Sequence, residues 1–329
     1  MSDYNVHTIS LLEQANTWKQ LHAAAQDATL FSSGAYLCSL ARHFHREPTA
    51  VVLMRDDSPV AGIPLLLRRR GVLRTAPPLP LTLYTGILTV ADTRLWQQDL
   101  PMLLRAVERR CHFVSLSVAP AEETLQAFGA RQWTVQKRVN RCLTLHSEDE
   151  LWEGYSQSLR RKIRRASEND LRIDTDPLPQ TLADCYGESY HRHGILPPIP
   201  VPEIQRWLAD LSRQGLVRMY AARRADGRCV ATRALIRDGE TMYDWLAGSN
   251  PPIAPSGSHW LLHLLLTRAI DEGCTRFDFM GANTPGVSDF KRSFGGREQQ
   301  YVEMEWYRPA LLKQVNRLRT RQRQRRRGL

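Results

Sequence analysis

The chain has 329 residues but only six cysteines (Cys38, Cys111, Cys142, Cys185, Cys229 and Cys274), and no two of them stand close together. That scatter excludes zinc-finger spacing and a disulfide framework, and predicts a reducing, cytoplasmic setting. Cys185 with His191 and His193 fits no ligand spacing, so no metal is expected. No run of 18 apolar residues exists. The best candidate, Trp260 to Leu266, is interrupted by His263, so no transmembrane segment is expected. The first residues hold no basic region leading into an apolar one, which predicts no secretory leader. Gly-x-Gly-x-x-Gly, the Walker loop and the Gly-x-Ser-x-Gly elbow are also missing. Nicotinamide oxidoreductases, P-loop ATPases and α/β-hydrolases are thereby set aside.

What the chain does have is positive charge in two places. The formal net charge is +11, and residues 317–329 hold seven arginines and no acid, which leaves +4 for the rest. Such a block reads as a solvated tail, or as a holder of RNA phosphates or of an anionic membrane surface by peripheral contact. The second concentration lies in Ser156 to Glu168. Leu159, Ile163 and Ala166 fall on one helical face, Ser156 or Ser158 can cap, and five of the six residues from Arg160 to Arg165 are basic. That helix is either a solvated face or an anion-binding rim, since arginine forks bind phosphate bidentately.

The order of elements repeats. Ala50 to Met54, a turn at Arg55 to Pro59, and Val60 to Leu67 form a hairpin, followed by a helix, Pro101 to Cys111, and a strand, His112 to Val118. Leu216 to Ala222 and Cys229 to Ile236 form a second hairpin, followed by strand Thr241 to Ala247, helix Ser258 to Gly273 and a strand from Thr275. The pattern predicts a duplicated α/β chain with largely antiparallel sheets. The expected divisions are an N-terminal domain at 1–145, a C-terminal domain at 146–310 and an arginine-rich tail at 311–329. Four prolines in Pro197 to Pro202 set an extended segment, a cleft wall or a plain connector to a helix at Glu203 to Arg213.

Two segments can carry chemistry. Ser256, Gly257 and Ser258 precede a helix, and a helix N-terminus either binds phosphate or is merely well capped. Thr275-Arg-Phe-Asp-Phe-Met-Gly281 alternates, placing Asp278 opposite Phe277 and Phe279, and leads to a glycine-rich loop, Gly286 to Gly296, with Asp289, Lys291 and Arg292. A carboxylate at a strand end before such a loop suits the ligand crevice of an open α/β sheet, or a buried Asp–Arg pair.

Arg160-Arg-Lys-Ile-Arg-Arg165, Tyr190-His-Arg-His-Gly194, Trp245-Leu-Ala-Gly-Ser249, His259-Trp-Leu-Leu262, Phe277-Asp-Phe-Met-Gly281 and Phe290-Lys-Arg-Ser-Phe-Gly-Gly296 occur in an order that resembles a known family. It is the FemAB-like branch of the GNAT acyltransferase superfamily, often labelled BioF-like acetyltransferase, and the likeness is clearest from Leu151 to Trp306. It implies two tandem GNAT-like domains, of α/β type with mostly antiparallel mixed sheets flanked by helices. It further implies no bound cofactor and transfer of an acyl or aminoacyl group, from acyl-CoA or aminoacyl-tRNA, to an amine or less often a hydroxyl. The acceptor would be a small molecule or a cell-envelope precursor. By similarity Lys291 stands near the transferring carbonyl and Arg192 lines the acceptor side. The Gln/Arg-x-x-Gly-x-Gly/Ala loop of ordinary CoA-binding members is missing at Pro255 to Ser258.

The reaction assigns further expectations. Asp278 is the candidate base. Lys291, or backbone N–H groups near Gly295, would meet the oxyanion. Arg160, Arg161, Lys162 and Arg164, with Ser256, Gly257 and Ser258, would hold phosphates, the basic helix and tail together offering a surface for tRNA. Tyr243 and Asp244 would position the acceptor. The rival is a non-catalytic RNA-binding protein on the same fold.

Overall fold

The computed structural model describes residues 4–90, 93–118, 129, 131–281, 285–309, 313, 314, 317 and 320. The arginine-rich tail expected at 311–329 therefore lies almost wholly outside the described residues. The chain divides into two units, one of Met1–Arg138 with Gln300–Arg326, the other of Val139–Gln299.

The first unit opens with β1 (Tyr4–Ser10), α1 (Ala15–Ala24) and α2 (Gly34–His43). The expected hairpin follows as β2 (Glu47–Arg55) and β3 (Ser58–Arg70), paired from Glu47↔Leu67 to Arg55↔Ser58. Then come β4 (Leu73–Ala76), the short β5 (Leu88–Thr89), α3 (Thr93–Arg110) and β6 (Phe113–Val118). The helix expected from Pro101 starts earlier, and Pro101 sits inside it. Leu100, Leu103, Leu104 and Val107 follow the i, i+3, i+4, i+7 spacing and are buried against Val51, Leu53, Ile63 and Leu116 of the strands.

The second unit holds six neighbouring strands in the order β7 (Thr134–Thr144), β12 (Arg276–Gly281), β11 (Thr241–Ser249), β10 (Cys229–Asp238), β9 (Arg218–Arg223), β8 (Arg172–Asp174). Only β11 and β12 pair in parallel; the other neighbours are antiparallel. Its helices are α4 (Glu148–Gly154), α5 (Gln157–Ser167), α6 (Pro179–His191), α7 (Val201–Arg213), α8 (Gly257–Asp271) and α9 (Pro285–Ser293). Leu159, Ile163 and Ala166 of α5 are buried as their spacing predicts, in one core with Leu261, Leu262, Leu265 and Leu266 of α8 and with Phe277 and Phe279. On the other face α6 lies so close to β11 that a Cβ on Gly248 would meet the Cys185 carbonyl carbon at 2.6 Å.

β13 (Arg297–Tyr307) leaves the second unit and pairs with β6 from Val302↔Val118 to Tyr307↔Phe113, putting Val302 and Met304 in the first unit's core. The two units divide at Val139 and Gln300, beside the expected divisions at 146 and 311, and most of β13 falls in the first unit because it pairs with β6. Among the described residues no helix is long and apolar enough to cross a membrane.

Candidate active site

β11 and β12 pair for only three positions, Thr241↔Arg276, Met242↔Phe277 and Tyr243↔Asp278, although β11 runs on to Ser249. The cause lies in β12. Its register against β7 is irregular between Asp278 and Gly281, and Met280 takes a left-handed φ of 61°. Two parallel strands therefore part at their carboxyl ends, where open α/β sheets receive ligands.

Lys291 closes this opening. The expected glycine-rich loop is in fact the helix α9, with Pro285 in its first turn, where a missing N–H costs nothing. Phe290 and Phe294 anchor it, ring to ring at 5.3 Å, with Phe294 also 6.0 Å from Phe279. That packing leaves Lys291 only 8% exposed. Its Nζ donates to the carbonyl of Phe279 and, at 2.7 Å, to that of Gly281. Burial brings the ammonium down to about 8, opposed by Asp244 and assisted by Arg233. An ammonium has three donors, and among the described residues these two carbonyls take two of them, which leaves one.

The Gly-Gly pair does a different job from the one expected. Gly295 N–H donates to Arg292 O at 2.9 Å, closing the helix, so it is not an oxyanion donor. Gly295 and Gly296 have φ of 86° and 79°, and a Cβ on Gly296 would meet Cys142 O at 2.5 Å. Gly296→Ala is expected to cost about 1–3 kcal/mol from the left-handed backbone and overpacking together, measured by urea unfolding.

Asp278 is fully buried. Its carboxylate accepts from Asn140 Nδ2 at 3.0 and 3.2 Å and from the Met280 N–H at 2.7 Å, with Arg276 at 3.5 Å. The structure encloses it in the sheet instead of presenting it to the opening. Tyr243 is also buried; burial first, then the Asp278 charge, raises its phenol. Its strand neighbour Asp244 faces the opposite side of β11. Asp244 pairs with Arg233, both almost wholly buried. Arg233 also donates to Ser258 Oγ at 2.9 Å and lies 5.3 Å over the Phe290 ring.

The α8 N-terminus departs from the phosphate cradle expected at Ser256, Gly257 and Ser258. Gly257 N–H donates to Ala254 O, His259 and Trp260 N–H both turn back to Ser256 O, and the Ser258 hydroxyl serves Arg233. Gly257 is needed for packing, since a Cβ there would meet Val230 Cγ1 at 2.0 Å. The basic helix is more open. Arg161, Lys162 and Arg164 are exposed and Arg160 half-buried, and none of the four has a carboxylate partner among the described residues. Ser156 caps it, accepting from Leu159 N–H at 3.2 Å, and Arg164 stacks 5.6 Å over Trp152. Arg192 is exposed at the end of α6 and donates to Ser249 O, where β11 ends. The proline segment lines a groove with Asp184, Glu188 and His191 that includes none of the residues around Lys291.

Arg233, Asn140 and His259 were not among the expected site residues. Arg233 had a signal: a lone charge inside Val230-Ala-Thr-Arg-Ala-Leu-Ile236 must be paired if it is buried. His259 packs at a tilt against Phe290, ring centroids 4.7 Å apart, and burial with the charges of Lys162 and Arg233 lowers it to about 4, so its ring stays neutral.

Residues 154–292 match the family model described as an acetyltransferase (GNAT) domain. Among solved structures the chain is similar to FemX, with 12% identity, a TM-score of 0.70 and coverage of 94% of this chain and 99% of that one. It is also similar to a tandem GNAT protein from the clavulanic acid biosynthesis pathway (9% identity, TM-score 0.53, 92% and 98% covered). A third is the C-terminal domain of a protein from Agrobacterium fabrum assigned as a lysylphosphatidylglycerol synthetase (10%, TM-score 0.53, 88% and 92%). No curated protein matches the chain by sequence. At these identities the structural likeness is one of fold. Residues 154–292 thus match an acetyltransferase (GNAT) domain, and the chain shares the fold of FemX and of the tandem GNAT protein.

Proposed function

We propose that the chain is an aminoacyltransferase, moving an aminoacyl group from the ester of aminoacyl-tRNA to an amine, less readily a hydroxyl, of a small or cell-envelope precursor. The observation that carries this reading is Lys291: a buried ammonium clasped by two carbonyls at the parted strand end, with one N–H to spare. A neutral amine attacks the ester carbonyl, and the electron pair moves onto its oxygen, where the free N–H of Lys291 meets it. Collapse forms the amide and breaks the ester C–O bond. The proton lost by the amine ends on the departing ribose oxygen.

Two features favour tRNA over CoA as donor. The α8 N–H groups that would take a pyrophosphate are largely engaged within the chain, while α5 offers cations with no carboxylate partner among the described residues. The FemX and lysylphosphatidylglycerol synthetase likenesses accord with this. Transfer from a charged tRNA mixture and from acetyl-CoA, to a panel of amines, tests it. Product from charged tRNA alone supports the proposal, product from acetyl-CoA alone replaces the donor, and salt-sensitive RNA binding without transfer favours a binding protein. Changing Arg160, Arg161, Lys162 and Arg164 to glutamine should lower the salt slope of tRNA binding by about 0.7–0.9 for each phosphate no longer neutralised. The slope is read from a fluorescence titration across salt concentrations.

A further inference from the structure

We propose that Asp278 is a positioning residue: by accepting the Met280 N–H it holds a left-handed turn that aims the Phe279 and Gly281 carbonyls at Lys291. The inference rests on Lys291 as the oxyanion donor. Met280 has φ 61° without being glycine, a conformation that persists only where its surroundings hold it. The Asp278 Oδ1 to Met280 N contact of 2.7 Å is such a hold, a side chain bonding the backbone two residues on. Asn140 fixes the carboxylate from β7, and Arg276 adds its charge from β12 itself. The two carbonyls that accept from Lys291 belong to the residues on either side of Met280. Loss of the turn would swing both away from Nζ. An enclosed carboxylate that spends its oxygens on Asn140 and Met280 suits this work better than proton abstraction from a substrate.

The test compares Asp278→Asn with Asp278→Ala in the full chain. Both remove the same charge, so the difference between them isolates geometry. An asparagine oxygen still accepts the Met280 N–H, with Asn140 turning its amide to match, whereas alanine offers nothing. The readouts are aminoacyl transfer and the titration of Lys291 by NMR of ¹³Cε-lysine protein. The chain has five lysines, so the Lys291 signal is assigned by its loss in Lys291→Met. The charges that act on Lys291 are Asp244 on β11, Arg233 on β10 and Asp278 on β12, while Asp289 and Arg292 of its own helix pair with each other. All except Asp278 are unchanged in the pair of variants.

The asparagine variant should keep a depressed Lys291 titration and transfer within about tenfold of the parent. The alanine variant should titrate higher, toward the ordinary lysine value, as water replaces the carbonyls, and lose about 10²-fold in transfer. Adding Met280→Gly to the alanine variant should restore part of both, because glycine takes positive φ freely. Equal titrations and equal losses of 10²–10⁴-fold in both variants, the mark of a missing base, overturn the proposal. If the alanine variant does not fold, the asparagine variant decides by the same two limits. If the parent shows no transfer at all, the acyltransferase reading fails, while the titrations still decide the role of Asp278.

Discussion

Lys291→Met is expected to lower transfer about 10²- to 10³-fold, equivalent to about 2.7–4 kcal/mol of lost oxyanion stabilisation, while the fold survives. Two opposing effects on stability accompany it. The variant no longer buries a charge, but it leaves the Phe279 and Gly281 carbonyls without their donor, each costing about 1–3 kcal/mol. A net change within about 2 kcal/mol is expected by urea unfolding. The parent's pH profile gives the sign of the chemistry. A donor must be protonated, and burial brings Lys291 to about 8, so activity should fall as pH rises through that value. A lysine acting as base would give the opposite slope. Stability behaves differently: between about 8 and 10.5 the unfolded chain binds more protons, so stability rises with pH across that window, and the full cost of the buried charge is present below it.

The second large effect is expected at the Arg233–Asp244 pair. Both side chains are almost wholly buried, and removing one partner leaves an uncompensated charge in the core. Arg233→Met or Asp244→Leu alone should cost about 3–5 kcal/mol, and the double variant should recover most of it, since two apolar side chains orphan no charge. Denaturant midpoints of the four proteins complete the cycle. Singles as mild as exposed pairs, about 0–1 kcal/mol, would mean that the pair is solvated. Asp244→Asn should also move the alkaline limb of the activity profile to lower pH, because Asp244 is the leading charge holding the Lys291 ammonium up.

Local pattern made much of this molecule legible. Alternation at Arg276 to Met280 placed Phe277 and Phe279 in the core with Asp278 opposite, and the spacing of Leu159, Ile163 and Ala166 gave the buried stripe of α5. The failures have physical causes. Gly286 to Gly296 looked like a loop because its glycines outweighed the helix signals around it, a proline in the first turn and a left-handed glycine just past the end. The turn at Met280 had no sequence signal, since methionine does not favour positive φ and the hold comes from a side chain two residues back. That β13 pairs with β6 depends on partners nearly two hundred residues apart, beyond any local window. Lys291 was named by resemblance, and its clasp is set by two carbonyls that only the folded chain brings to it.

The return of β13 also sets an order of assembly. The six strands β7 to β12 lie between Thr134 and Gly281, so they can pair with one another before β13 is synthesised. The first unit is synthesised earlier yet lacks a strand until Val302 to Tyr307 emerges. At roughly 5–20 residues per second, the nascent β6 edge waits on the order of ten to forty seconds with its hydrogen-bonding groups unpaired by β13. The older half of the chain is therefore finished last, and cellular protection against strand-edge aggregation is needed most during that interval.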